Sequence, residues 1–126
     1  MPHPTAPSCI FCKIIAGQIP SYRVFENDQV FSFLDIGPLS RGHTLIIPKG
    51  HWVTIDQLPD DVAAACGLAA KKNSAAIGKA TGAVGWNVLQ NNCTHLAHNA
   101  LVVTGLWDSW ESERFVLFAA FDFPVP

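Results

Sequence analysis

Cys9 and Cys12, with two residues between them, are the first side chains in this chain whose types and spacing suggest chemistry. A CxxC pair can ligate a soft metal, act as a redox couple, or be two buried thiols. Ile10 and Phe11 fill its middle, and no βαβ pattern surrounds it, which disfavours the redox reading. Cys66 lies in an apolar stretch and reads as a small buried hydrophobe. His43 stands just before the apolar run Leu45-Ile46-Ile47, where a lone histidine is ordinarily a hydrogen-bonded core residue. Asp35 closes a β-rich run, and its carboxylate could accept two hydrogen bonds from a pair of hydroxyls. Phe33 and Ile36 read by default as core, and Asn91, in an Asn-Asn pair, as a turn residue. Further on come Cys93, His95 and His98, with no histidine beyond.

These residues need a scaffold, and the composition permits one. The chain has 126 residues, 49% hydrophobic and 14% charged, so it can build a core and is not intrinsically disordered. A net charge of −2 with eight scattered Lys and Arg leaves no basic stripe for nucleic acid. No apolar run approaches the roughly 18 residues that span a bilayer, so no membrane partner is expected. The N-terminus does not resemble a secretory signal, so reduced thiols and residence in the cytoplasm or nucleus are expected.

Residues 1–8, with three prolines, read as a flexible leader. Residues 9–17 suit a short helix with Ser8 as N-cap and Gly17 as the stop. YRVFE and QVFSFLDI flank Asn27-Asp28 and predict a hairpin with a two-residue turn. HTLIIP suits a strand buried on both faces. The main helix is expected over 59–80, opened by Pro59, Asp60 and Asp61 and closed by Gly82, its apolar face interrupted at Asn73. VGWNVLQ predicts another strand.

The phrases CIFCKIIAGQIPSYRVFENDQVFSFLDI, GHTLIIPKGHW and GWNVLQNN, in this order and spacing over residues 9–92, closely resemble the histidine triad (HIT) family of nucleotide hydrolases and transferases. The resemblance implies an α+β fold, an antiparallel sheet with one main helix, paired as a homodimer. It implies purine nucleotide binding, with cleavage of nucleoside phosphoramidates or dinucleoside polyphosphates. Asp35 matches the ribose-binding carboxylate, Phe33 and Ile36 the walls around the base, and Asn91 a phosphate-contacting amide. His43 matches the supporting histidine beside the reaction centre. Cys9, Cys12 and His51 match three ligands of a structural zinc, whose fourth ligand in zinc-binding relatives is expected from a histidine in the final motif.

The family pattern continues with a glycine, a short loop and a strand carrying His-x-His-x-His. Alternate side chains share a strand face, so three imidazoles line up about 7 Å apart, the middle one attacking the α-phosphorus. Here the sequence runs Asn91-Asn92-Cys93-Thr94-His95-Leu96-Ala97-His98-Asn99-Ala100, and no His-x-His-x-His occurs in the 126 residues. His98 matches either a loop histidine, solvated, which is the preferred reading, or the fourth zinc ligand. Cys93 is the one other nucleophile nearby, without an evident base.

Residues 93–126 hold one Arg against four acidic residues, with four of the eight Phe. They read as a divergent or frame-altered tail replacing the C-terminal part of the sheet, after an incomplete HIT-like domain at 9–92. ALVVTGL and RFVLFAAFDF could each still form a strand. Catalysis by this chain is therefore not expected. The expectation is a nucleotide-binding protein without turnover; the alternative is a non-enzymatic truncated product that misfolds or pairs with an intact relative.

Overall fold

Asn27 starts the sheet. Its Oδ1 accepts the N–H groups of Gln29 and Val30, both at 2.9 Å, turning the chain between β1 (Tyr22–Glu26) and β2 (Val30–Leu34). The loop is three residues long, not two, because Gln29 joins the turn that the Asn27 side chain closes. In the computed structural model residues 3–35, 42–91, 98 and 100–106 are described.

All pairings in the five-stranded sheet are antiparallel, in the order β1-β2-β3-β5-β4, with β3 at Thr44–Pro48, β4 at Gly85–Asn91 and β5 at Ala100–Leu106. β3 is buried at all five positions, as its unbroken apolar run predicts. β5 pairs Leu45 with Val102 on one side and Val88 with Val103 on the other. The segment ALVVTGL, placed by sequence in the divergent tail, thus fills the gap between β3 and β4. The sheet continues through Leu106, and the second expected strand, RFVLFAAFDF, lies outside the described residues.

The period-two alternation splits the core between two sheet faces. On one face Val30, Ile46 and Val103 meet Leu58 and the Val62, Cys66 and Ala69 stripe of α2 (Asp60–Thr81). On the other, Phe31, Phe33, Leu45, Ile47, Ala100 and Val102 meet Ile14 of the short helix α1 (Ile10–Ile15), with Phe11 and Ile15 packed against them.

Asn73 is no flaw in the apolar stripe of α2. Its Oδ1 accepts from Ser32 Oγ of β2 at 3.1 Å, and its Nδ2 donates to the Ala69 carbonyl at 2.9 Å. Both residues are buried, so this pair satisfies polar groups that would otherwise carry a desolvation cost. The helix ends as expected at Gly82, whose φ of 76° is the left-handed cap that glycine takes without strain. α1 differs from expectation: Cys9, not Ser8, precedes its first turn and supplies no side-chain cap. The Cys9 N–H donates instead to the Ala6 carbonyl at 3.1 Å, leaving its sulfur free to face inward.

Candidate metal centre and the adjoining polar edge

Three segments far apart in sequence converge on one point. Cys9 and Cys12 are three residues apart at the start of α1, and such a spacing stacks side chains on one helix face. His51 follows the turn after β3, and its backbone N–H donates to the Pro4 carbonyl at 2.7 Å. The leader also touches the body at His3, whose Nε2 donates to the Asp28 carbonyl at 3.0 Å. His98 sits two residues before β5 and is wholly buried. The solvated-loop reading of His98 is therefore corrected: it is a core histidine beside the two thiols.

The geometry fits a tetrahedral ion. Cys12 Sγ lies 3.3 Å from His51 Nδ1 and 3.7 Å from His98 Nδ1, while Cys9 Sγ lies 3.5 Å from His98 Nδ1. Zinc–sulfur and zinc–nitrogen bonds of about 2.3 and 2.05 Å at a tetrahedral angle put sulfur and nitrogen roughly 3.6 Å apart. All four ligand atoms lie within 4.8 Å of one another.

The protonation chemistry agrees. His98 Nε2 is 2.9 Å from the Pro48 carbonyl, which can only accept, so Nε2 carries the proton. The Nδ1 lone pair is thereby aimed at the sulfurs, the orienting bond that metal-ligating histidines commonly have. Burial lowers the His98 pKa to about 4, partly opposed by that carbonyl bond and reinforced by His51, so the ring is neutral at pH 7. Burial also raises the pKa of Cys12, offset in part by a backbone hydrogen bond at Ala6, with the Cys9 thiol adding to the rise. A divalent cation would reverse this by replacing the thiol protons.

Beyond this centre, at the end of β2, lies a polar edge. Asp35 Oδ2 is 3.4 Å from His43 Nε2, and the Asp35 N–H donates to the His43 carbonyl at 3.0 Å. Gly42 sets this up: its φ of 78° disfavours any side chain, and a Cβ there would collide with Ile77 of α2. His43 is 3% exposed and Asp35 26%, so the carboxylate opens to solvent while the imidazole backs it. Burial lowers the His43 pKa and the Asp35 charge partly restores it.

Phe33 is buried, its ring 5.9 Å from that of Phe31 and 6.0 Å from that of Phe11. Of the other expected nucleotide residues, Ile36 lies outside the described residues, as do Cys93 and His95. Asn91 ends β4 opposite Ala100, with its backbone alone described. Sequence reasoning missed Phe11, Pro48 and Ser32–Asn73. Only the polar residue interrupting an apolar helix stripe offered a signal, and only for the last.

The sequence model of the HIT domain matches residues 16–100. This chain belongs to the HIT family. It is 37% identical over 122 residues to an adenosine 5'-monophosphoramidase of Candida albicans, covering 84% of this chain and 80% of that protein. It is 46% identical over 84 residues to an adenylylsulfatase of Arabidopsis thaliana, covering 67% of this chain and 43% of that one. The chain likewise spans 64% of the Methanocaldococcus jannaschii HIT-like protein, so it falls short of the full length of several curated relatives. Among solved structures, a zinc-bound histidine triad family protein from Mycobacterium smegmatis superposes with a TM-score of 0.75 at 31% identity, over 81% of this chain and 77% of that one. A HIT family protein from Bacillus anthracis gives a TM-score of 0.76 at 38% identity, over 83% and 77%. The HIT chain described here thus gathers Cys9, Cys12, His51 and His98 into a Cys₂His₂ cluster whose ligand atoms could hold one metal ion. Among its described residues no helix is long and apolar enough to cross a membrane.

Proposed function

We propose that this HIT protein binds a purine mononucleotide along the Asp35–His43 edge and does not turn it over. Asp35 accepts the ribose hydroxyls, Phe33 and Ile36 wall the base, and Asn91 contacts the phosphate. His43 backs the site, its Nε2 3.4 Å from the Asp35 carboxylate. The zinc of the Cys₂His₂ centre is structural, fixing α1 and the leader to the sheet. The substrate class of active relatives, nucleoside phosphoramidates or dinucleoside polyphosphates, supplies the ligand chemistry. Residence in the cytoplasm or nucleus accords with the ligating thiols being reduced.

The observation that carries the loss of turnover is the face of β5. Ala100 and Val102 pack on the α1 side of the sheet, the side on which His98 meets Phe11. β5 carries no histidine at any of its seven positions, and none follows it in the sequence, so no imidazole series lines this strand to attack phosphorus. Residues 93–126 are in this reading a divergent or frame-altered tail whose first strand still completes the sheet.

Calorimetry with adenosine monophosphate tests binding: saturable heat at millimolar ligand or below is expected, and none from a folded protein removes the reading. Incubation with a labelled nucleotide donor tests turnover. No acid-labile adduct is expected; stoichiometric labelling would show that another side chain has taken over the attack. The alternative of a truncated product that associates with an intact relative draws on one feature. β4 is the outermost described strand on its side of the sheet, and it leaves Trp86 and Val88 exposed. The same surface suits the homodimer.

A further inference from the structure

We infer that Phe11 is a positioning residue that links the metal centre to the base wall, so that metal and nucleotide strengthen each other's binding. This rests on the nucleotide reading above and adds a coupling to it. Phe11 stands in sequence between the two cysteine ligands, and its ring bridges the two sites in space. Edge-on to the ring of His98 at 5.6 Å and 84°, it is also edge-on to Phe33 at 6.0 Å and 65°. Phe33 in turn stands two residues before Asp35 on the same strand end.

The helix that carries Phe11 cannot hold this position by itself. α1 has six residues and no side-chain N-cap, far below the length at which an isolated helix persists in water. Besides the packing of Ile14 and its neighbours, its anchors are the Cys9 and Cys12 sulfurs. Ligation of both thiols together with His98 fixes the start of α1 against the strand that His98 precedes. The Phe11 ring is then held on Phe33 from behind. With the four ligands unbridged, α1 is held by packing and by the weak sulfur–imidazole contacts, so Phe11 and Phe33 regain motion that nucleotide binding must remove. Ordering that one ligand has already imposed is not imposed again by the second, which is positive coupling.

Titration of the intact protein with adenosine monophosphate, zinc-loaded and chelator-stripped, tests this. Stripping is expected to weaken nucleotide binding by about tenfold in the wild type, and by less than about twofold in Phe11→Leu, which keeps an apolar side chain without the ring edge. Reciprocity requires nucleotide to raise zinc affinity by the same factor, read by competition with a chelator. A second readout stays clear of any unfolding of the stripped form. In the cadmium-loaded protein the cadmium-113 resonance is expected to move on nucleotide addition in wild type and to stay put in Phe11→Leu. Equal nucleotide affinity with and without metal in folded protein overturns the coupling, as does a wild-type cadmium resonance indifferent to bound nucleotide. Coupling that survives unchanged in Phe11→Leu removes Phe11 as the link. Absence of nucleotide binding in every form instead overturns the nucleotide reading, and the coupling falls with it.

Discussion

Two buried polar side chains make separate statements about stability. Ser32 donates to Asn73 across the interface between β2 and α2, in a place with no access for water. Asn73→Leu removes that acceptor and leaves the Ser32 hydroxyl to bear its desolvation, an expected loss of about 1–3 kcal/mol. Ser32→Ala in the same background should recover part of it, since both partners are then apolar. Urea unfolding of the two variants measures the difference. His43 makes a statement about pH. Burial lowers its pKa below the ordinary 6.5, against the opposing pull of Asp35. As pH falls through 6.5 the unfolded chain takes up the proton first, so the stabilisation present above that pH is lost toward the lower folded pKa. Wild type should therefore lose more stability between pH 7 and pH 5 than His43→Gln does, and Asp35→Asn should widen the wild-type loss. Urea midpoints at the two pH values decide; identical slopes for wild type and His43→Gln would sink the assignment.

At the scale of elements, legibility in the sequence followed the range of the interaction. The hairpin, β3, α2 and β4 were readable because each is dictated by neighbours: an Asn side chain closing its own turn, an unbroken apolar run, acids at a helix start and glycine at its end. All four candidate metal ligands were named from the resemblance, His98 only as the second reading after a solvated loop histidine. Nothing around His98 in sequence reports burial; Pro48, fifty residues away, is what turns its ring. At α1 the sequence places the cap at Ser8, while the helix begins one residue later, after Cys9. Within the tail, the strand that the sequence reading allowed at ALVVTGL is the apolar run that fills the gap between β3 and β4. A prediction for α1 follows. Zinc at one hundred times its Kd should stabilise the fold by about 2.7 kcal/mol. Cys12→Ser should abolish that increment and lower bound zinc well below one per chain, both read by thermal melts with and without chelator beside metal analysis.

At the scale of the whole molecule, the described sheet ends on one side at β4. β4 has β5 on one side and, among the described residues, no strand on the other. Val84, just before the strand, and Trp86 and Val88 within it are exposed by 73%, 39% and 48%, large apolar side chains at alternate positions. Trp86 rests on Gly78 of α2, where any Cβ would strike the ring, so strand and helix offer a single continuous surface. A two-fold contact sets a strand against its own reversed copy, which is antiparallel pairing, and β4 to β4 would extend the sheet from five strands to ten. A dimer is therefore expected by light scattering on size-exclusion chromatography. Val88→Lys should weaken it by tenfold or more, because burying a valine is worth about 1.5–3 kcal/mol and a two-fold interface would lose it twice while gaining like charges. Trp86 is the poorer probe, since its contact with Gly78 belongs to the fold of each subunit. A wild-type monomer at tens of micromolar, or a Val88→Lys dimer as tight as wild type, would place the interface elsewhere.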